Sequence, residues 1–198
     1  MKLFPAMIAA LVFAALPGCV APVGPVEVTR FHVPELATLG RGAIAVEPAE
    51  GMQGESLEFR SYASAVTRQL VLLGFGEASA GAASPQVAIV RIERQTWRPE
   101  RARRPVSVGV GGSTGSYGSG VGLGIGLDLS GPPPEQVETL LGVTIKERVS
   151  GKALWEGKAT FTVRASSPLA TTQLGAAKLA EALFKGFPGS SGETIQVK

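Results

Sequence analysis

Leu141-Gly142-Val143-Thr144-Ile145-Lys146-Glu147-Arg148-Val149-Ser150-Gly151-Lys152-Ala153-Leu154-Trp155-Glu156-Gly157-Lys158-Ala159-Thr160-Phe161-Thr162-Val163-Arg164 is the stretch that decides the fold. Leu141, Val143 and Ile145 recur at every second position, which places them on one face of a strand. Ser150-Gly151-Lys152 supplies a turn. Beyond it Trp155, Gly157, Ala159, Phe161 and Val163 alternate with Glu156, Lys158, Thr160, Thr162 and Arg164. Period two on both sides of a turn predicts an antiparallel hairpin with one dry and one wet face.

Downstream of this hairpin, Ser167 is a capping residue and Pro168 suits the first helical position, so a helix is expected to start there. Its apolar stripe is read as Leu169, Ala176, Leu179, Leu183 and Phe187, with Gly186 and Pro188 ending it. Gly189–Lys198 is expected as a loose tail. Upstream, Gln86–Trp97 reads as a long strand with Ala88, Val90 and Ile92 on one side. Val26–Val33 and Ala43–Val46 read as two earlier strands. Ser56 caps a helix in which Phe59, Tyr62, Val66, Leu70 and Leu73 share a face, stopped at Gly74 or Gly76. The fold expected is α+β: a mainly antiparallel sheet with two helices packed on one face. One domain spans 26–188.

Within that domain lies an unusual segment. Val106, Val108 and Val110 alternate with Ser107, Gly109 and Gly111; after a Gly/Ser turn, Val121, Leu123, Ile125, Leu127 and Leu129 alternate with Gly122, Gly124, Gly126 and Asp128. A Gly-rich hairpin over 106–129 follows, with one aliphatic face and one face nearly bare of side chains. A bare face admits a second backbone closely, while glycine weakens the strands themselves. Assembly with a partner and tight packing within the domain both fit this pattern.

The chain has 198 residues, 18% of them charged, and a formal net charge of +3. That is enough length for a real core, too few charges for disorder, and too little positive charge to imply nucleic acid. The single cysteine excludes an internal disulfide and a cysteine-rich metal site. It lies in Leu16-Pro17-Gly18-Cys19, at the end of the uncharged apolar run Leu3–Leu16 that follows Met1-Lys2. A positive end, an apolar core and a small residue before the cut form a secretory leader, shorter than the roughly 20 residues a spanning helix needs. Residues 1–18 are therefore read as a signal peptide and 19–25, with Pro22 and Pro25, as a linker. The tetrapeptide resembles the lipobox of bacterial lipoproteins. That resemblance implies lipid attachment at Cys19, and Val20 after the cysteine implies outer-membrane delivery facing the periplasm.

Candidate chemistry is sparse. Gly111-Gly112-Ser113-Thr114-Gly115 has the spacing of a hydrolase nucleophile elbow, which requires a strand before the serine and a helix after it. A Gly/Ser turn is expected there instead, and His32 is the only histidine. His32 alone makes no metal site. Asp128 is the only aspartate, which excludes paired-aspartate mechanisms. No phosphate loop or dinucleotide fingerprint occurs, and no cofactor is expected. Arg91, Arg94, Arg98, Arg101, Arg103 and Arg104 form the densest charge run, with Trp97 among them. It reads either as a solvated strand end, helped by Glu93 and Glu100, or as a contact for a polyanion such as lipopolysaccharide phosphate.

Three features together resemble bacterial lipoproteins carrying domain of unknown function 4136. They are the helix over 57–74 running into Gly74-Phe75, the Gly-rich middle, and Gly151-Lys152-Ala153-Leu154-Trp155-Glu156-Gly157 followed by a helix that closes in Phe187-Pro188. The resemblance covers about Val26–Pro188 and implies an α+β envelope lipoprotein, with no catalytic residues to assign. The expectation is a non-enzymatic module on a lipid tether, with an unknown envelope protein or component as its partner.

Overall fold

The hairpin quoted above is the centre of a seven-stranded sheet in the computed structural model, which describes residues 24–34, 42–81, 83–100, 106–115, 118–127 and 131–198, with side chains outside 106–127. Its two strands, β7 (Gln136–Glu147) and β8 (Ala153–Arg164), pair antiparallel from Gln136 opposite Arg164 to Ile145 opposite Trp155. The alternation read from the sequence holds along their length. Leu141, Val143, Ile145, Trp155, Gly157, Ala159, Phe161 and Val163 are buried, and Glu156, Lys158, Thr162 and Arg164 are exposed.

The earlier strands are β1 (Val26–His32), β2 (Ala43–Pro48), β3 (Gly76–Ala78) and β4 (Gln86–Trp97). With β9 (Thr194–Val197) the order across the sheet is β3-β2-β4-β7-β8-β1-β9. The pairs β3/β2 and β2/β4 are parallel and the remaining pairs are antiparallel. Parallel neighbours need a crossover, and α1 (Leu57–Leu72), which follows β2, provides it. The Ser56 hydroxyl accepts from the Phe59 N–H at 3.1 Å, the N-cap the sequence announces. The second helix, α2 (Thr172–Phe184), packs beside α1, and both bury their apolar stripes against the same sheet face in one core. The architecture is α+β, a mostly antiparallel sheet with two helices on one face.

Three expectations are corrected. Ser167 and Pro168 open a single 3-10 turn, Pro168–Ala170, and the α-helix starts at Thr172. The Ser167 hydroxyl caps that turn through the Leu169 N–H, and Gly175, against the Leu169 carbonyl, fixes how closely the turn packs. Leu169 and Phe187 therefore reach the core from outside the helix. Gly189–Lys198 is not a loose tail: Val26, Glu27, Val28 and Thr29 pair with Val197, Gln196, Ile195 and Thr194. The domain thus runs past 188 to its last strand. β3 and its parallel pairing, too short to leave a periodic pattern, have no counterpart in the sequence reading.

The glycine-rich segment forms a separate two-stranded ribbon, β5 (Val106–Gly115) with β6 (Gly118–Leu127). Its register sets Gly109 opposite Gly124 and Gly111 opposite Gly122, while Val108 meets Ile125 and Val110 meets Leu123.

An aromatic cluster locks α2 to the sheet. Trp155 stacks on Phe184 at 5.4 Å between ring centroids and meets Phe187 at 5.2 Å. Its indole N–H donates to the Pro188 carbonyl at 3.0 Å, which satisfies the one polar atom of a buried ring. Gly157 makes room for it, since a Cβ there would overlap the indole and lie 2.8 Å from Leu183 Cδ1.

Candidate functional site

The end of the sheet from which the ribbon departs gathers most of the features singled out in the sequence. β4 runs toward that end and closes its ladder at Trp97 opposite Gln136; β8 runs the same way and closes at Arg164 opposite Gln136. The ribbon is inserted in the chain between Trp97 and Gln136. β2 accompanies β4 only from Gln86 to Val90. Among the described residues no strand pairs with the corresponding edge of Arg91–Trp97, and charge protects that open edge from adventitious pairing.

Among the described residues the arginine run is divided between two faces. Alternation along β4 sends Arg91 to the solvent face, 3.8 Å from Glu93, and Arg94 to the helix face, 3.6 Å from Glu58 of α1. Exposed pairs of this kind contribute about 0–1 kcal/mol. Arg98 follows the strand and is exposed, as is half of Trp97 (48%). Arg101, Arg103 and Arg104 lie outside the described residues. Beside Arg94 lies the buried Tyr62 hydroxyl; burial raises its pKa above the usual 10.0, and the Arg94 charge and hydrogen bond oppose that shift.

The chain's entry to the domain lies at this same end. Glu27 stands opposite Thr160, which stands opposite Leu140, whereas His32 stands opposite Trp155 and through it Ile145. β1 therefore begins toward the end of the sheet where β4 ends and β7 begins, and runs away from it. Thr160 is four positions from the last rung at Arg164, about 13 Å of strand.

Other candidates lie elsewhere. Ser113 sits within β5 opposite Gly120, and a second strand follows, so the strand–turn–helix an elbow requires is not formed. His32 is half-buried, with Nδ1 2.9 Å from the Val33 carbonyl and Nε2 3.2 Å from the Gly189 carbonyl, and its backbone N–H donates to Ser191 Oγ. It ties β1 to the loop before β9. Among the described residues no group of histidine, cysteine and carboxylate side chains is placed to hold a metal. Cys19 lies outside the described residues. An open groove of about 560 Å³ runs between α1 and β3, lined by Arg60, Ser64, Thr67, Arg68 and Glu77 with Leu72 at its rim.

Two arginines that the sequence reading passed over are structural. Arg30, 4% exposed, donates from Nε to the Leu183 carbonyl at 3.0 Å and from Nη2 to those of Ala182 and Lys185 at 3.1 and 2.8 Å. It caps the C-terminus of α2, satisfying carbonyls the helix leaves free and complementing its dipole. Burial lowers its pKa below the usual arginine value, and the Glu193 charge opposes that shift. The signal was present, since Val26, Val28 and Arg30 share one phase of β1. Arg148 ties the β7–β8 turn to β2: it pairs with Glu47 at 2.6 Å and donates from Nε to the Ser84 carbonyl at 3.1 Å. The Arg148 hydrogen bond holds the Glu47 carboxyl below its usual 4.5, against a smaller desolvation effect, with help from the Gly81 N–H.

Comparison with known proteins adds little to this geometry. No protein-family model matches the chain. An uncharacterized protein of Zymomonas mobilis subsp. mobilis is 28% identical over 215 aligned positions, covering 88% of this chain and 80% of that protein. Among solved structures, a PDZ domain protein from Parabacteroides distasonis aligns at a TM-score of 0.48 and 9% identity, over 88% of this chain. This chain covers only 39% of that protein. The PelC dodecamer from Paraburkholderia phytofirmans aligns at 0.42 and 15% identity, over 79% of this chain and 96% of the PelC chain. Likeness at this level says nothing of what the chain binds. Among the described residues no helix is long and apolar enough to cross a membrane, which leaves strands open.

Proposed function

We propose that the chain is a non-enzymatic envelope lipoprotein, held by acyl chains on Cys19 at the outer membrane and facing the periplasm. Its α+β domain serves as a binding or assembly module for another envelope protein or component. One observation carries this reading: Cys19 closes an uncharged apolar leader in lipobox register, seven positions before β1 begins. Several acyl chains, at about 0.8 kcal/mol per buried methylene, hold a protein where a single chain does not. Ser113, in a strand followed by a second strand, lacks the setting of a nucleophile elbow, which favours scaffold over catalyst.

Intact mass of the mature protein is expected to show a start at Cys19 with diacylglycerol and amide-linked acyl groups attached. Cys19→Ser is expected to carry no acyl mass and to take up no labelled fatty acid. A free thiol, or a start elsewhere, removes the reading.

A further inference from the structure

We propose that Val106–Leu127 is a membrane-crossing hairpin, and that copies of this chain join it edge to edge into a closed β-barrel; this rests on the lipoprotein reading above. No charged residue occurs between Val106 and Leu127. The register separates the ribbon into two unlike faces. One holds Ser107, Gly109, Gly111, Ser113 and Gly115 opposite Gly126, Gly124, Gly122, Gly120 and Gly118. The other holds Val106, Val108 and Val110 opposite Leu127, Ile125 and Leu123, then Gly112 opposite Val121. A water-filled lumen accepts bare backbone and hydroxyls. An aliphatic face is suited to lipid, and alternation of this kind is what a barrel strand requires.

Each strand has ten residues. At about 3.4 Å per residue and a tilt near 40° such a strand reaches about 26 Å, enough to cross the roughly 25 Å apolar band of outer-membrane barrels, with the apolar rungs covering about 18 Å of it and glycine and hydroxyls the rest. The four apolar rungs lie on the side nearer the domain, and the fifth, Thr114 opposite Ser119, begins a hydroxyl-rich tip.

Position agrees independently. Cys19 is seven positions before Val26, so its reach from β1 is at most about 25 Å. Since β1 starts at the end of the sheet from which the ribbon leaves, a tether that short turns that end toward the bilayer. Half-exposed Trp97 and exposed Arg98 stand at the end of β4 from which the chain continues to the ribbon, the residue types found at a headgroup interface. The need for copies follows from hydrogen bonding. Among the described residues the ribbon is a sheet of two strands in which one edge of each strand is unpaired, and hydrocarbon offers those N–H and C=O groups nothing. The same ribbon from a neighbouring copy satisfies them.

The test uses the lipidated full-length mature protein reconstituted into phosphatidylethanolamine–phosphatidylglycerol vesicles loaded with a small uncharged, membrane-impermeant dye. Wild type is expected to release dye and to crosslink into a closed oligomer. Val108→Asp and Leu123→Asp, on the lipid face, are expected to slow release at least about tenfold. Ser107→Asp, on the lumen face, is expected to keep the pore open and shift its selectivity toward cations. Thermal unfolding of the domain serves as the folding control, because the ribbon lies outside the seven-stranded sheet. Acylated, vesicle-bound wild type that releases no dye and stays monomeric overturns the proposal while leaving the lipoprotein reading intact. Equal loss from Ser107→Asp and Val108→Asp also overturns it, and points to glycine faces packed together. An unacylated Cys19 removes both readings.

Discussion

At Gly157 the sheet has no room for a methyl group, because the Trp155 indole and Leu183 fill the space above the backbone. Gly157→Ala is expected to destabilise the domain by about 1–3 kcal/mol, the usual cost of overpacking, read as a lower urea midpoint. Adding Trp155→Phe is expected to recover part of that loss, since the smaller ring withdraws from the same space; strictly additive losses would disprove the coupling. Arg30 is the second sensitive point. Its planar fork serves three carbonyls at once, a geometry lysine does not reproduce. Arg30→Lys is expected to lose about 2–3 kcal/mol of unfolding free energy. Gly189, with φ +83°, belongs to the same arrangement: a Cβ there would stand 2.8 Å from Arg30 Nη1. Both residues were readable only in part. The inward phase of Arg30 was visible in the alternation of β1, but its partners lie more than 150 positions away.

Among the elements, β9 decides between a tail and a strand. Removing residues 189–198 deletes a sheet edge, the acceptor of the Trp155 indole N–H is left at the new terminus, and His32 loses Gly189 and Ser191. The truncated domain is expected to lose several kcal/mol, of the order seen when a buried network is broken; unchanged thermal unfolding would mean that β9 is not part of the folded unit. β2 is held by the Glu47–Arg148 pair, which makes it pH-sensitive. Glu47 has its pKa lowered in the folded state, so its contribution is complete above the ordinary carboxylate value and fades as pH falls through the lowered one. Glu47→Gln is expected to cost about 1 kcal/mol at neutral pH and to flatten the acid limb of wild-type stability. An acid limb identical in both proteins would contradict that assignment. β7, β8, β4 and α1 were legible because their periods are long and clean. β3 and β9 were not, since three or four residues carry no period and their strand character comes from the neighbours they pair with.

For the molecule as a whole, what could not be read from the sequence was register. Period two identifies faces but not which residue stands opposite which, and only the pairing of β1 through β8 to β7 shows that β1 starts toward the end of the sheet from which the chain leaves for the ribbon. Cys19, Trp97 and Val106–Leu127 are separate features in the sequence; the sheet brings the entry strand, Trp97 and the ribbon's roots to one end. Under the proposed lipid tether this end faces the bilayer. Trp97, 48% exposed, and Trp155, 1% exposed, are the only tryptophans, so fluorescence can separate them. With the lipidated protein on vesicles, lipid-borne bromine is expected to quench the Trp97 component, and aqueous iodide is expected to lose its access to it. Trp97 that remains open to iodide and untouched by brominated lipid would contradict the account.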